Sequence, residues 1–180
     1  MAPSPSTGSL APALAPAPAL DARENGSKIP VSTMIVIHDR DCNALLLERA
    51  DFAGYWQSVT GSQEAGESLV ETATREVLEE TGIDARAIGG VIDWHVCNVY
   101  EIYLQWRHRY PPGVTHNMEH VFGLCVPGDT VARIAEREHR AWCWLPWQVA
   151  AGKCFSWSNR EALVRMPDLV AATGQCKRSR

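Results

Sequence analysis

A chain of 180 residues has the length of one domain, and with 46% hydrophobic residues it can bury a sizeable core. Its net charge of −4 argues against a nucleic-acid-binding surface, and no apolar run approaches the length of a membrane span. The six cysteines (Cys42, Cys97, Cys125, Cys143, Cys154 and Cys176) have neither CxxC nor zinc-type spacing. Their pattern suggests a reduced cytoplasmic protein, with Cys42, Cys97 and Cys125 as small buried side chains in or beside strands.

In chain order, residues 1–27 are rich in Ala, Pro and Ser, with proline too frequent for a stable helix. They lack the basic start and uninterrupted apolar stretch of a secretory signal, so a disordered tail is expected there. Residues 31–38 (VSTMIVIH) are rich in β-branched side chains and predict a strand. A second strand is predicted over 44–49 after the turn at 39–43, and a short one over 55–59.

Residues 61–83 read GSQEAGESLVETATREVLEETGI, with a helical pattern from 68 to 80. Leu69, Val70, Ala73, Val77 and Leu78 are expected to face a core, and Gly82 to cap the helix in a left-handed conformation. Glu76 and Glu80 are i,i+4 neighbours, with Glu79 three residues after Glu76. The segment holds six acidic residues and one basic one, a local charge of −5. Two carboxylates 5–6 Å apart repel by roughly 3 kcal/mol at an effective dielectric near 20, and solvent reduces this to a few tenths for an exposed pair. Negative charge at a helix C-terminus is also unfavourable to the macrodipole. A divalent cation reverses this balance, and hard carboxylate oxygens suit Mg²⁺. Arg75 is positioned to pair with Glu67 and brace the preceding loop.

Beyond the helix, strands are predicted over 87–97, 99–106, 119–126 and 141–145. A helix is predicted over 158–166, with Ser158 or Asn159 as its N-cap. The pattern describes an α/β chain with a mixed β-sheet sandwiched between helices. The domain is expected to span 28–172, followed by a flexible tail at 173–180.

Gly61, Glu67, Arg75-Glu76, Val77, Glu79-Glu80, Gly82 and Ile83 hold the register of the Nudix box, so the chain resembles the Nudix hydrolases. That resemblance implies the Nudix fold and Mg²⁺-dependent (or Mn²⁺-dependent) hydrolysis of a diphosphate linkage, with no nucleic-acid or membrane partner. Three further stretches resemble the bacterial branch acting on dihydroneopterin triphosphate in folate biosynthesis: WQSVTGS (56–62), RHRYPPGVTHN with Glu119 (107–119) and SWSNREA (156–162). His116 stands where that branch has arginine. The resemblance implies metal ligands at Glu76, Glu80 and Glu138, and catalytic roles for Arg75, Glu76, Glu79 and Glu80. It implies substrate contacts at Lys28, Arg49, Thr60, Tyr100, Glu101, Ile102, Tyr103 and Ser156. Lys28 and Arg49 suit an anionic triphosphate, and Tyr100, Tyr103, Trp56 and Trp157 offer flat surfaces to a pterin ring. Either Glu79 or Glu138 serves as base toward the attacking water. Two other readings stand beside this one: a Nudix enzyme acting on nucleoside triphosphates or dinucleoside polyphosphates, and a non-catalytic Nudix ligand-binding module.

Overall fold

The computed structural model describes residues 27–175; the expected N-terminal tail, apart from Ser27, and residues 176–180 lie outside the described residues. The elements are β1 (Val31–His38), β2 (Asn43–Arg49), β3 (Trp56–Gln57), β4 (Val59–Ser62), α1 (Leu69–Thr81), β5 (Ile92–Glu101), β6 (His116–Cys125), β7 (His139–Pro146), α2 (Trp147–Lys153) and α3 (Trp157–Thr173). The strands form one mixed seven-stranded sheet in the order β3-β2-β1-β6-β5. β1 runs parallel to β6, while β2 at one end of β1 and β4 at the other are antiparallel to it. β7 extends the sheet beyond β2. Among the described residues, no helix is long and apolar enough to cross a membrane.

β1 is buried along nearly its whole length because successive side chains enter two different cores. Ile35 and Ile37 join Val59, Ala73, Val77 and Phe122 beneath α1. Met34 and Val36 join Val121, Ala162, Leu163 and Met166 beneath α3. Full burial of one such aliphatic side chain contributes about 1.5–3 kcal/mol, so this strand holds the three layers together.

Several elements differ from expectation. Val70 and Leu78 are 50% and 52% exposed. α1 rests on a single sheet and packs its apolar stripe through Leu69, Ala73 and Val77 into the core, and each exposed residue lies one position, about 100°, off that stripe. Instead of a strand from 87, a 3-10 turn occupies Ala85–Ile88, started by the Asp84 carboxylate and ended by Gly89 at φ 107°. β5 then runs unbroken from Ile92 to Glu101, across the expected break at 98. A bulge between Asp93 and Val96 absorbs the irregularity; there His95 adopts φ 55° and its amide donates to Asp93 Oδ1 at 2.7 Å. The strand predicted to reach 106 gives way to a second 3-10 turn at Leu104–Arg109.

The short strand at 55–59 is interrupted at Ser58, whose amide and hydroxyl both donate to Asn159 Oδ1. Ser58 thereby ties the sheet to α3. The C-terminal helix begins at Trp157 with Ser156 as its N-cap, and Ser158 and Asn159 are buried against the sheet. Helix α2 was not anticipated. Its start at Pro146–Trp147 has no side-chain cap, so the usual sequence signal is missing. Cys97 is exposed on the edge strand, Cys42 and Cys125 are half-buried, and Cys154 is the fully buried thiol among the described residues. Thr173 belongs to α3, and the Gln175 side chain bridges Trp94 Nε1 and the Gly123 carbonyl.

Candidate active site

Helix α1 starts in a capping box. Ser68 Oγ accepts from the Glu71 amide, and the Glu71 carboxylate accepts from the Ser68 amide. It ends at Gly82, whose φ of 68° is the left-handed conformation expected from the sequence. These two ends fix the rotational register of the carboxylates between them.

Arg75 ties the helix to the loop before it. Its Nε and Nη2 donate to the two Glu67 oxygens at 2.7 and 3.0 Å, and Nη2 also reaches the Ser62 carbonyl at 3.1 Å. Nη1 meets Glu76 Oε1 at 2.6 Å and Glu79 Oε2 at 3.3 Å. The guanidinium holds the Glu67 carboxyl down to about 2, and the Glu64 amide and Thr72 hydroxyl support the same charge. One cation thus serves three carboxylates.

Gly61 of β4 faces Glu76. A Cβ placed at 61 would overlap the Glu76 carboxyl carbon, Oε1 and Cγ, so only glycine leaves room for this side chain above the strand. Burial pushes the Glu76 carboxyl up to about 7 even with Arg75 beside it. Four residues on, Glu80 is 3% exposed and lies against Glu138 and His139. Burial raises the Glu80 carboxyl well above the ordinary range, and the nearby Glu138 charge adds to that effect. Glu80 Oε2 and His139 Nε2 are 2.9 Å apart.

Ligand atoms of Glu80, Glu138 and His139 all lie within 4.8 Å of one another. Glu138 and His139 arrive there because β7 pairs with β2, with His139 opposite Arg49 and the Ala50 amide donating to the Glu138 carbonyl at 2.8 Å. Two carboxylates and an imidazole, with one carboxylate buried and short of positive charge, fit a divalent cation. The sequence reading had Glu80 and Glu138 but missed His139. The signal for it was a histidine directly after Glu138 at the start of a strand, hidden by the charged run around it. Glu76 sits one turn before Glu80, next to Gly61, while Glu79 is turned toward solvent beside Arg75.

The expected substrate contacts fall into two groups. Lys28 Nζ donates to Ser62 Oγ at 3.2 Å, Thr60 supplies a backbone hydrogen bond to Glu80, and Arg49 forms a two-point ion pair with Asp51. Thr60 and Arg49 act on Glu80 directly, while Lys28 lies at the Ser62 end of β4. The Tyr100 hydroxyl accepts from Asn117 Nδ2 at 3.0 Å, and Glu101 pairs with Arg107. Ile102 is buried at 4%, whereas Tyr103 is 51% exposed and packs edge-on against Trp106. Ser156 accepts from the Asn159 amide as the cap of α3. The loop from Arg107 to Thr115 lines a shallow pocket of about 510 Å³ containing Tyr110, Pro111 and Pro112.

A family profile described as NUDIX domain matches residues 28–165. The dihydroneopterin triphosphate diphosphatase of Escherichia coli (strain K12) is 44% identical over 138 residues, covering 76% of this chain and 91% of that protein. The protein of the same name from Haemophilus influenzae is 34% identical over 134 residues, covering 73% and 84%. Among solved structures, that of the E. coli dihydroneopterin triphosphate pyrophosphohydrolase superposes with a TM-score of 0.71 at 42% identity, over 78% of this chain and 97% of the other. A Listeria monocytogenes NUDIX hydrolase structure, at 19% identity and a TM-score of 0.68, shares the fold.

Proposed function

The chain belongs to the NUDIX domain family, and from that premise we propose that it hydrolyses dihydroneopterin triphosphate to dihydroneopterin monophosphate and pyrophosphate, acting in the cytoplasm with Mg²⁺. The observation that carries the reading is the convergence of Glu138 on Glu80 across 58 positions of sequence, next to the Arg75-braced helix. Two carboxylates held this close, one of them buried, gain a favourable balance when a divalent cation is bound between them. The 44% identity to the E. coli diphosphatase, over 91% of its length, supports the choice of substrate. The catalytic unit in this reading is residues 28–172, and the substrate is a small-molecule triphosphate.

When bound, Mg²⁺ supplies charge neutralisation at the phosphates and a more acidic water. Glu80, Glu138 and His139 are the residues that would hold it, with Glu76, one turn before Glu80, as the further carboxylate that this reading assigns to the ion. Lys28, at the Ser62 end of β4, and Arg49, at the end of β2 beside Glu80, present cations to the triphosphate. A water oxygen attacks the α- or β-phosphorus, the P–O bond bridging them breaks with its electron pair going to the departing phosphate oxygen, and the monophosphate and pyrophosphate separate. Glu79 and Glu138 are the two solvent-open carboxylates there, and either can take the proton from the attacking water.

The test compares kcat/KM for dihydroneopterin triphosphate with that for the common dNTPs in Mg²⁺ buffer, measuring pyrophosphate and orthophosphate separately. Preferred turnover of the pterin, with pyrophosphate as the product, is expected. Much faster dNTP cleavage would defeat the pterin assignment while leaving the hydrolase assignment in place.

A further inference from the structure

On the α3 side of the sheet, the paired residues turn from apolar to polar toward one end of the strands. Ser62 of β4, Ser32 of β1, Glu119 of β6 and Asn98 of β5 are successive register partners, so their side chains project from the same face. Asn117, two positions before Glu119, shares that face and donates to Ser32 Oγ at 2.7 Å and to the Tyr100 hydroxyl. The next row in the other direction is Met34 and Val121, which belong to the core under α3.

Glu119 is the anomaly in this row. It is 5% exposed, and its hydrogen-bonding groups are the amide of Asn98 at 3.4 Å and the hydroxyl of Ser158, both neutral. No Lys or Arg of the described residues forms an ion pair with it. Holding a carboxylate in such a place costs several kcal/mol. Glutamine would fill the same space without that cost, and the two carboxylate oxygens keep acceptor capacity beyond the Asn98 and Ser158 contacts.

The position of the row indicates a ligand for that capacity. Lys28, the cation offered to phosphate, donates to Ser62 at the other end of the row. Ser62 and Glu119 are two strand spacings apart, about 10 Å, which matches the reach from a triphosphate to the ring it is attached to. β4 forms the wall between the two halves of the site. Its Thr60 backbone touches Glu80, whereas the Thr60 side chain is on the face of Met34 and Glu119. A substrate lying over the β4 edge therefore has its phosphates at the carboxylate cluster and its ring toward β6.

We propose that Glu119 selects the ring of the substrate, its two carboxylate oxygens accepting the ring N–H and exocyclic amino group of a 2-amino-4-oxopyrimidine. Those two adjacent donors meet a carboxylate in the parallel two-bond geometry that arginine uses. Pterin and guanine carry this edge; adenine does not, and hypoxanthine lacks the amino group. The inference rests on the reading of the site as a triphosphate hydrolase and adds the means of ring recognition.

The experiment uses GTP and ITP, which differ only in the amino group, with the full-length protein. The wild type is expected to favour GTP in kcat/KM by at least about tenfold, the size of one hydrogen bond to a charged group. Glu119→Gln replaces one acceptor by a donor at equal shape and should bring that ratio close to one, while Glu119→Asp, shorter but charged, should give an intermediate ratio. A wild-type ratio near one overturns the proposal and requires no variant to fold. Retention of the wild-type ratio in Glu119→Gln, with both rates and the melting temperature lowered together, also overturns it and identifies Glu119 as a structural residue. Dihydroneopterin triphosphate and GTP present the same edge, so poor pterin turnover with an intact GTP preference would sink the substrate assignment and leave the role of Glu119 standing.

Discussion

Gly61→Ala adds one methyl group and should disable the enzyme while leaving it folded. The new Cβ would fall on the carboxyl end of Glu76, well inside the 3.5–4.0 Å that carbon atoms need. Relief requires the carboxylate to move by more than about 1 Å, and a displacement of that size in a reacting group costs about 100-fold in rate. Arg75 resists the movement, because the same guanidinium is committed to Glu67 and to the Ser62 carbonyl. The stability cost is smaller, since the displaced group is the end of a flexible side chain. About 1 kcal/mol, or 2–4 °C in melting temperature, is expected for a chain of this length. Gly152→Ala in α2 is the matched control, because a Cβ there meets nothing within 4 Å. The assay is pyrophosphate release with substrate and Mg²⁺ varied, alongside thermal melts of both variants. Activity within threefold of wild type in Gly61→Ala would refute the reasoning, since Glu76 would then tolerate displacement and have no fixed role.

Three further perturbations bear on separate parts of the molecule. Glu80→Gln keeps the shape of a buried carboxylate but removes its charge; metal titration should show weaker binding and kcat/KM should fall at least about tenfold, and near-normal values would mean that the metal site lies elsewhere. The Glu67 carboxyl titrates near 4.5 in the unfolded chain and near 2 when folded, so its stabilising effect is complete above pH 4.5 and is lost as the pH falls toward 2. Arg75→Met should flatten that part of the stability–pH curve, and an unchanged acid limb would contradict the assignment to this pair. Gly123→Ala would drive a methyl group into the Trp94 indole; overpacking of this kind costs about 1–3 kcal/mol, so a lower melting temperature with little loss of activity per folded molecule is expected.

The acidic helix was readable in sequence because every local signal agreed: a polar cap at Ser68, an apolar stripe at Leu69, Ala73 and Val77, and Gly82 at the end. The Arg75–Glu67 brace was readable for the same reason, as both partners lie within one short segment. What periodicity could not supply was which distant residue joins Glu80. Glu138 came from resemblance alone, and His139 was missed, because β2–β7 pairing determines both positions and the local run around them is merely charged. The boundaries failed where side chains and pairing act on the backbone: Ser156 caps α3 so that Ser158 and Asn159 can face the sheet, and continuous pairing with β6 carries β5 through the break expected at 98. Exposure of Val70 and Leu78 reflects how narrow a stripe one helix needs on one sheet.

The parallel pairing of β1 with β6 joins Val31 to Met118, 87 positions later, and all eight β1 residues take part. A chain emerging from the ribosome therefore leaves one edge of β1 unpaired until two thirds of the sequence has been made. Glu80 acquires His139 and Glu138 later still, when β7 closes on β2. Such non-local closure is slow compared with helix formation. Metal capture is thus tied to the completeness of the chain, and a fragment ending before residue 138 would carry the acidic helix intact yet lack the distal half of the ion's cage.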